Sequence, residues 1–514
     1  MKTTRIEGLM LGLVLLLCGS TLQAQLSPSA DERPALVLAV MIDQLRYDYL
    51  TRHGADFDAG LARLLQEGAV FTNANYEAAP TVTAIGHSTF LSGATPSVSG
   101  IAGNSWYSRA ERKPVQSITD DAVTPFGALN GASPWRLRVS TVGDELKQSG
   151  HGGKVYGVSL KDRSAILPAG RAADGAFWLV NGQFVSSSWY FPELPAWATV
   201  FNVAAPADRY AGAEWMGTTL PATPGAELYR ALDSTPFADQ LVLDFALHLL
   251  ASEQLGTGDR TDLLAVSFSA MDYLGHATGP DTPQMREMVL SIDAKVGALL
   301  AAAERQAGRG KVLLVLSADH GVAPVPEEQV ARKLPGGRYD GQAERAAVQD
   351  ALVAAFGPGE YVLADSESGY YLDYSVAAGK QVARSELEDV AAEALRRLPQ
   401  VARVYTRTAL EQARVGGDRI DQRIYNGFHR EESGDLVVVH DPNWLGGRGG
   451  TTHGSPYNYD THVPLIFWGP RTLVKPGLYH SEAAIHDIAP TLAAMLRVAV
   501  PNGAQGRVLH ELLP

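Results

Sequence analysis

The chain contains several short, uninterrupted runs of Val, Ile and Leu that end at polar residues, and this pattern limits the folds it can adopt. Such runs are typical of strands buried on both faces of a sheet. They occupy residues 35–42, 154–158, 262–268, 311–316 and 464–468. Helical patterns lie between them, at residues 60–66, 142–148, 237–252, 283–305 and 484–496. The alternation predicts an α/β fold in which helices flank a mostly parallel sheet.

Two stretches break this alternation. Residues 163–235 are rich in Trp, Tyr, Phe, Pro and Ala, and residues 323–450 mix a helical pattern with isolated strand-like pieces. We expect both to be insertions in a single catalytic domain that spans residues 25–514. Ligands of open α/β sheets bind at the carboxyl ends of the strands, so the insertions are expected to cover that edge and shape the pocket.

The composition is that of an ordinary globular protein: 46% of the 514 residues are hydrophobic and 19% are charged. These values exclude fibrous, collagen-like and disordered chains. The formal net charge of −13 disfavours nucleic acid and stable association with anionic membranes as partners. An anionic substrate must therefore be attracted locally. The sequence carries no signal for an oligomeric state.

Residues 1–24 read as a secretory signal peptide. Lys2 and Arg5 precede an apolar stretch at residues 9–17, which is too short to span a bilayer, and a polar end follows it. The alternative is a lipoprotein anchored at Cys18, which bulky Leu17 disfavours. Cleavage after Ala24 would leave a periplasmic or secreted chain without cysteine, which excludes disulfides, Cys-ligated zinc and thiol nucleophiles.

Acidic and imidazole side chains follow the apolar runs at the points where these end. They are Asp43, the pair Asp272 and His276, the pair Asp319 and His320, and a further candidate, His453, in a glycine-rich loop. Each alone is better explained as a turn or helix cap or an incidental histidine. Together, at one sheet edge, carboxylates and imidazoles suit zinc or a similar divalent ion.

Thr83 is a candidate nucleophile, because we expect it at the start of a short helix that runs to about residue 91. The free N–H groups and positive dipole of a helix start favour an anion. The alternative is that Thr83 only caps this helix. A threonine hydroxyl needs a base or a metal ion to become nucleophilic at neutral pH, and a metal held by Asp43, Asp319 and His320 would provide this.

The sequence resembles the alkaline phosphatase superfamily, and within it the secreted, phosphate-irrepressible alkaline phosphatases with a Thr nucleophile. The likeness covers nearly the whole mature chain and keeps the order of the family's motifs. The segments that carry it are Asp43-Gln44-Leu45-Arg46, residues 80–93, Gly100-Ile101-Ala102-Gly103-Asn104, Ser159-Leu160-Lys161-Asp162-Arg163, Asp272-Tyr273-Leu274-Gly275-His276, Ala318-Asp319-His320-Gly321, Thr452-His453-Gly454 and His462-Val463-Pro464-Leu465.

The resemblance implies two zinc ions per chain and a phosphothreonine intermediate. One zinc site is similar to the family site and would consist of Asp43, Asp319 and His320 with the Thr83 oxygen. The other would consist of Asp272, His276 and His453. Such a pair of ions clamps the attacking and leaving oxygens of an in-line displacement. Small phosphate monoesters are the implied substrates, and inorganic phosphate is the product.

Asn104, Lys161 and Arg163 are the expected phosphate-binding residues, and Lys161 and Arg163 separate the possible reactions. A monoester has three nonbridging oxygens in the transition state. The metal ions and Asn104 would bind two of them, and Lys161 and Arg163 would bind the third. The alternative is a diesterase like the nucleotide pyrophosphatase/phosphodiesterases, which look alike at the ligands and at Asn104. A second alternative is a noncatalytic metal- or phosphate-binding protein. A sulfatase is disfavoured, because no Cys/Ser-x-Pro-x-Arg nucleophile motif follows Asp43.

Overall fold

The computed structural model describes residues 33–514, so the segment expected to be a signal peptide, with Cys18, lies outside the described residues. Within 33–514 the strands, in chain order, are β1 (Leu36–Ile42), β2 (Ala69–Phe71), β3 (Ala74–Asn75), β4 (Ser105–Ser108), β5 (Lys113–Gln116), β6 (Pro125–Phe126), β7 (Gly152–Ser159), β8 (Gly175–Val180), β9 (Gln183–Ser187), β10 (Glu214–Trp215), β11 (Thr218–Thr219), β12 (Thr261–Phe268), β13 (Val312–Ser317), β14 (Gly337–Tyr339), β15 (Val362–Ser366), β16 (Gly369–Leu372), β17 (Val401–Thr406), β18 (Leu436–His440), β19 (Trp444–Gly446), β20 (Leu465–Trp468), β21 (Gly477–Tyr479) and β22 (Ala483–Ala484).

The α-helices of the same residues are α1 (Tyr47–Arg52), α2 (Gly60–Glu67), α3 (Thr83–Ser92), α4 (Pro96–Ser99), α5 (Val142–Gln148), α6 (Asp162–Ala169), α7 (Ala196–Val203), α8 (Ala226–Leu232), α9 (Pro236–Ser252), α10 (Ala270–Thr278), α11 (Pro283–Ala307), α12 (Pro326–Ala331), α13 (Gly341–Phe356), α14 (Tyr374–Gly379), α15 (Arg384–Arg396), α16 (Arg407–Glu411), α17 (Arg419–Gly427), α18 (Asn458–Thr461) and α19 (Ile488–Leu496). None of the helices in this part of the chain is long and apolar enough to cross a bilayer.

A ten-stranded sheet forms the centre of the fold, in the order β21-β2-β20-β13-β1-β12-β7-β8-β9-β6. The five neighbours β13, β1, β12, β7 and β8 pair in parallel, while β20, β9 and β6 run antiparallel to their neighbours. All five predicted apolar runs are strands of this sheet. Every residue of β1, β12 and β13 is buried, as expected for strands with helices on both faces. The predicted fold class is confirmed.

A smaller sheet of four strands lies within residues 362–440, in the order β15-β16-β18-β17. It has an apolar core of its own, to which α13 contributes Val348 and Leu352 and α15 contributes Leu387 and Leu395. The turn between β15 and β16 carries Glu367, and Asp441 directly follows β18. This four-stranded sheet supplies several residues of the site described below.

One predicted helix begins later than expected. The apolar pattern at residues 484–496 predicted a continuous helix, but residues 483–484 form β22, residues 485–487 form a 3-10 turn, and α19 starts at Ile488. Asp487 accepts a hydrogen bond from the Ala484 N–H at 2.8 Å, which stabilises the turn instead of a longer helix. An apolar stretch does not distinguish a buried strand from a buried helix at its first residues.

The start of α2 is held by a buried carboxylate from another helix. Asp293 of α11 is 2% exposed, and its two oxygens accept hydrogen bonds from four backbone N–H groups. The donors lie at 2.6–3.2 Å and belong to Asp58, Ala59, Leu61 and Ala62. The residue at the helix start, Ala59, has no side-chain oxygen to cap these donors. Asp293 therefore fixes α2 to α11.

We expect Asp293→Ala to lower the free energy of unfolding by about 3 kcal/mol, because several donors lose a charged acceptor at once. Asp293→Asn keeps one acceptor oxygen and should lose less. Urea unfolding followed by circular dichroism measures both changes. Asp389→Ala, an exposed carboxylate on α15, is the control and should have little effect. A loss for Asp293→Ala no greater than that of the control would contradict this role.

Candidate active site

The carboxyl ends of four adjacent strands bring the predicted site residues together at one edge of the sheet. In sheet order these strands are β13, β1, β12 and β7. Parallel strands end on the same side, so the residues that follow them are neighbours in space although they are far apart in the chain. These residues are Asp319 and His320 after β13, Asp43 after β1, Asp272 and His276 on α10 after β12, and Lys161 and Arg163 after β7.

Asp43, Asp319 and His320 form the first ligand group. One side-chain atom from each lies within 4.8 Å of the others, and all three residues are fully buried. His320 Nε2 is 3.6 Å from Asp43 Oδ1 and 3.4 Å from Asp319 Oδ2. These two carboxylate oxygens have no hydrogen-bond donor among residues 33–514. Two orphaned, buried oxygens beside an imidazole nitrogen fit a divalent cation between them.

Asp272, His276 and His453 form the second ligand group, with the same 4.8 Å spread of ligand atoms. His276 Nε2 lies 3.2 Å and His453 Nε2 lies 3.6 Å from Asp272 Oδ1. The imidazole rings of His320 and His453 stack at 3.4 Å between centroids, so the two groups are in contact. The structure thus brings together the six aspartates and histidines predicted to bind metal, in the two predicted sets.

The three histidines present the same ring nitrogen to the site. The Nδ1 atoms of His276, His320 and His453 lie 2.9, 2.9 and 2.8 Å from the carbonyl oxygens of Thr451, Gly321 and Thr81. A carbonyl only accepts, so each Nδ1 carries a proton, and in the neutral ring the Nε2 atom then holds a free lone pair. Fixing the tautomer through a backbone carbonyl is how metal-binding histidines are usually oriented.

The electrostatics of both groups also suit a cation. Burial, together with the neighbouring Asp43 carboxylate, raises the pKa of Asp319 well above its ordinary value. Burial lowers the pKa of His320 to about 3 and that of His453 well below its ordinary value, so both rings are neutral. Although burial opposes it, Lys161 and the two histidines hold the pKa of Asp272 far below the ordinary range. A divalent ion would offset the repulsion between Asp43 and Asp319.

Thr83 is the first residue of α3 and lies beside the first ligand group. The N-cap position of the helix is held by Val82 and not by Thr83, and Thr83 Oγ1 lies 3.4 Å from His320 Nε2. The interpretation of Thr83 as a mere helix cap is therefore disfavoured. Gly86 permits this approach, because a Cβ at that position would lie 2.4 Å from Asp319 Cβ. Helix α3 can thus lie directly against the loop that holds Asp319 and His320.

Asn104 is oriented from both sides. Its Oδ1 accepts a hydrogen bond from the Ala84 N–H at 2.9 Å, which places the amide next to the start of α3. Its Nδ2 and backbone N–H donate to Glu367 at 3.1 and 2.7 Å. Glu367, on the turn between β15 and β16, was not predicted, since a glutamate in a polar turn has no distinctive signature.

Lys161 and Arg163 differ in their surroundings. Lys161 is buried, and its Nζ donates to Asp43 Oδ2 at 2.7 Å and to Asp272 Oδ2 at 2.5 Å, one carboxylate from each ligand group. Although burial opposes it, these carboxylates raise the pKa of Lys161, which stays charged. Arg163 is partly exposed, and its guanidinium reaches only Asp162, at 3.8 Å, among the described residues. Its N–H groups are free to bind an anion.

Gln44 connects the two ligand groups and was missed as a site residue. Its backbone N–H donates to Asp319 Oδ1 at 3.1 Å and its Nε2 donates to Asp272 Oδ1 at 2.6 Å. It is fully buried with φ of 67°, a conformation that non-glycine residues rarely adopt. Gly275 leaves room for it, since a Cβ there would lie 1.7 Å from Gln44 Oε1. Its position directly after Asp43 was the available signal.

Comparison with known proteins is consistent with this site. A family model described as type I phosphodiesterase / nucleotide pyrophosphatase matches residues 37–460, which include every residue of both ligand groups. A calcium-transporting ATPase of Myroides odoratus is 33% identical, over 95% of this chain and 96% of its own length. Alkaline phosphatase PafA of Elizabethkingia meningoseptica is 32% identical, over 94% of this chain and 95% of its own.

Solved structures show the same similarity to alkaline phosphatases. A crystal structure of wild type alkaline phosphatase PafA matches with a TM-score of 0.87 at 32% sequence identity. The match covers 94% of this chain and 99% of that chain. The similarity therefore extends over the sheet and its insertions and is not confined to the motifs around the ligand groups.

We expect Gln44→Met to weaken divalent metal binding about 10- to 100-fold, because Asp272 loses the side-chain amide that holds its Oδ1 atom in place, while the backbone donor to Asp319 stays. Methionine has a similar length but cannot donate a hydrogen bond. Zinc affinity measured by competition with a chromogenic chelator tests this, with bound zinc counted by mass spectrometry. Gln306→Met is the control, since Gln306 donates only to the backbone carbonyls of Leu250 and Leu255. Equal affinities in wild type and Gln44→Met would exclude the role.

Proposed function

The chain belongs to the type I phosphodiesterase / nucleotide pyrophosphatase family, and within that family we propose that it is an alkaline phosphatase, a metal-dependent hydrolase of small phosphate monoesters. The names of the relatives describe two different activities, so the residues of the site must support the choice. The observation that carries it is the position of Thr83. Its hydroxyl lies at the start of a buried helix, beside one ligand group and next to Asn104, which binds the N–H of the following residue.

We propose zinc as the metal, two ions per chain. Asp43, Asp319, His320 and the Thr83 oxygen would hold one ion, and Asp272, His276 and His453 the other. Bound zinc would lower the pKa of a coordinated hydroxyl or water and would neutralise phosphate oxygens. The orphaned oxygens of Asp43 and Asp319 and the free Nε2 atoms of the histidines support these assignments.

Thr83 would carry the phosphoryl group between two displacements. Its Oγ1 forms a bond to phosphorus while the bond between phosphorus and the ester oxygen breaks, which releases the alcohol. Water then displaces the Thr83 oxygen, which releases inorganic phosphate and restores the hydroxyl. Thr83 is the first residue of α3, and the positive end of the helix dipole at this position favours the negative charge of the phosphoryl group.

Asn104, Lys161 and Arg163 would bind the nonbridging oxygens. Lys161 contacts one carboxylate of each ligand group, so its ammonium lies at the boundary between the two metal sites. Arg163 has N–H groups without a close acceptor in the part of the chain that is described. Two cations in addition to the metal ions suit the dianion of a monoester better than the single charge of a diester. This is the reason for preferring a monoesterase to a nucleotide pyrophosphatase/phosphodiesterase.

We further propose a periplasmic or secreted location, on the grounds of the signal-like residues 1–24. The inserted residues 163–235 and 323–450 are proposed to shape the substrate pocket. A noncatalytic metal- or phosphate-binding protein is the remaining alternative. It would not need Thr83 beside the ligands.

We expect 4-nitrophenyl phosphate to be hydrolysed with a higher kcat/KM than bis(4-nitrophenyl) phosphate, since the site offers charge for three nonbridging oxygens. Thr83→Ala should lose activity by at least about 10³-fold, because no nucleophile remains to accept the phosphoryl group. Thr83→Ser is the matched control, which retains a hydroxyl and should keep part of the activity. Preference for the diester would overturn the monoesterase assignment, and full activity in Thr83→Ala would remove the nucleophile.

Arg163→Ala and Lys161→Ala should each lower monoester kcat/KM by about 10²-fold or more and affect the diester far less. The reason is that the two cations would bind a nonbridging oxygen of the monoester, and in the diester this oxygen carries a second organic group and no charge. Arg163→Lys, which keeps one positive charge, should fall between wild type and Arg163→Ala. The measurement is the ratio of monoester to diester kcat/KM for each variant. Equal losses on both substrates would show that the two cations have no selective role.

A further inference from the structure

A cavity of about 460 Å³ opens from the candidate active site toward the four-stranded sheet. Asn104, His276 and His453 line one end of it, so it begins at the ligand groups. Its far walls come from β14, β16, β18, β19 and the loop that precedes α18. In a phosphate monoester the alcohol is the part that extends away from the phosphorus. The cavity is therefore placed to receive the alcohol if the proposed function holds.

The charged residues that line this cavity are all acidic. They are Glu344, Asp365, Glu367, Asp441 and Asp460, and neither lysine nor arginine occurs among the lining residues of 33–514. Four of the five are already engaged. Glu344 pairs with His440, Asp365 pairs with Arg345, Glu367 accepts from Asn104, and Asp460 accepts from Ser455.

Asp441 is different, because its carboxylate has no hydrogen-bond or ion-pair partner in the described chain. Its backbone is fixed, since its N–H donates to the Gln400 carbonyl at 2.9 Å and its own carbonyl accepts from Trp444 at 3.1 Å. The carboxylate lies near Tyr457, whose pKa is raised to about 12 by burial and by Asp441. An unpaired carboxylate on this fixed backbone attracts a positive charge within the cavity.

Aromatic residues line the same cavity as this carboxylate. Tyr339 stacks on His440 with 3.9 Å between ring centroids, and Trp444 and Tyr457 also line the cavity. The faces of Trp and Tyr rings attract ammonium groups, most strongly where water is excluded. An anionic group in the same place would meet carboxylates and find no lysine or arginine. The ring faces and the unpaired carboxylate therefore both favour a positively charged group in this cavity.

We propose that this cavity binds the leaving alcohol and selects alcohols that carry an ammonium group over neutral and anionic ones. The inference rests on the proposed phosphomonoesterase function and specifies its substrate class. Asp441 supplies the charge that distinguishes the substrates, and the rings of Tyr339 and Trp444 supply the surface on which an alkylammonium group packs. Esters whose alcohol carries a second anionic group are the poorest substrates.

The test compares three monoesters of similar size. Phosphocholine carries a cationic alcohol, 3,3-dimethylbutyl phosphate replaces its trimethylammonium group with a neutral group of the same shape, and the phosphate ester of 4-hydroxybutanoate carries an anionic alcohol. The wild type should show kcat/KM values that fall in this order. The alcohols also differ as leaving groups, so the decisive quantity is the cationic-to-neutral ratio of kcat/KM in a variant relative to wild type.

Asp441→Asn should lower this ratio about tenfold, since it removes one charge and keeps the shape of the side chain. Trp444→Leu should lower it further than Trp444→Phe, which keeps a ring face. Asp389→Asn changes the net charge equally on the exposed side of α15, outside the cavity, and should leave the ratio unchanged.

The result that would overturn the inference is an unchanged ratio in Asp441→Asn, or a ratio that falls equally in Asp389→Asn. Failure of the proposed function gives a different result. In that case none of the three monoesters and no aryl phosphate monoester releases phosphate. If aryl phosphate is hydrolysed but the three alkyl esters are hydrolysed without regard to charge, the function stands and the charge selectivity is wrong.

Discussion

Three carboxylates buried at one edge of a parallel sheet are the arrangement on which the rest of the site depends. Asp43, Asp272 and Asp319 are each at most a few per cent exposed, and an isolated buried carboxylate is costly. Gln44, Lys161 and the histidines reduce that cost without removing it, since one oxygen of Asp43 and one of Asp319 stay without a donor in the described structure. The fold thus retains negative charge where a cation can neutralise it.

The overall charge of the protein and the charge of its site act in opposite directions. With a net charge of −13 the surface repels phosphate esters, so an anionic substrate must be attracted over short distances. Lys161, Arg163 and the start of α3 lie within a small volume and favour an anion there, and the metal ions proposed for the two ligand groups would add to that attraction. The cavity next to them is acidic again. A bound phosphate ester would therefore have its phosphate beside Lys161 and Arg163 and its alcohol in the acidic cavity.

Much of the central fold was predictable from the sequence, because β1, β12 and β13 are continuous apolar runs with polar residues at their ends. The grouping of five predicted metal ligands was predictable for the same reason, since parallel strands place the residues after them at one edge, whereas His453 comes from a loop outside that sheet. The start of α19 was not predictable, because alanine favours a helix while residues 483–484 form a strand, so tertiary pairing with β3 overrides the local preference. Gln44 and Glu367 have no chemical signature. The walls of the cavity come from segments separated by many residues, which no local pattern connects.

The position of His453 has a consequence for the order in which the protein is made. This histidine completes the second ligand group, and its ring stacks on His320 of the first, yet it follows almost all of the central sheet in the chain. A growing chain that has already formed β1, β12 and β13 still lacks this ligand until the segment containing residues 337–446 has been synthesised. Neither the stacked pair nor the complete set of ligands exists in a partly made chain. A chain that can bind metal at both ligand groups has therefore been synthesised beyond the four-stranded sheet. A chain truncated before His453 lacks a complete second ligand group.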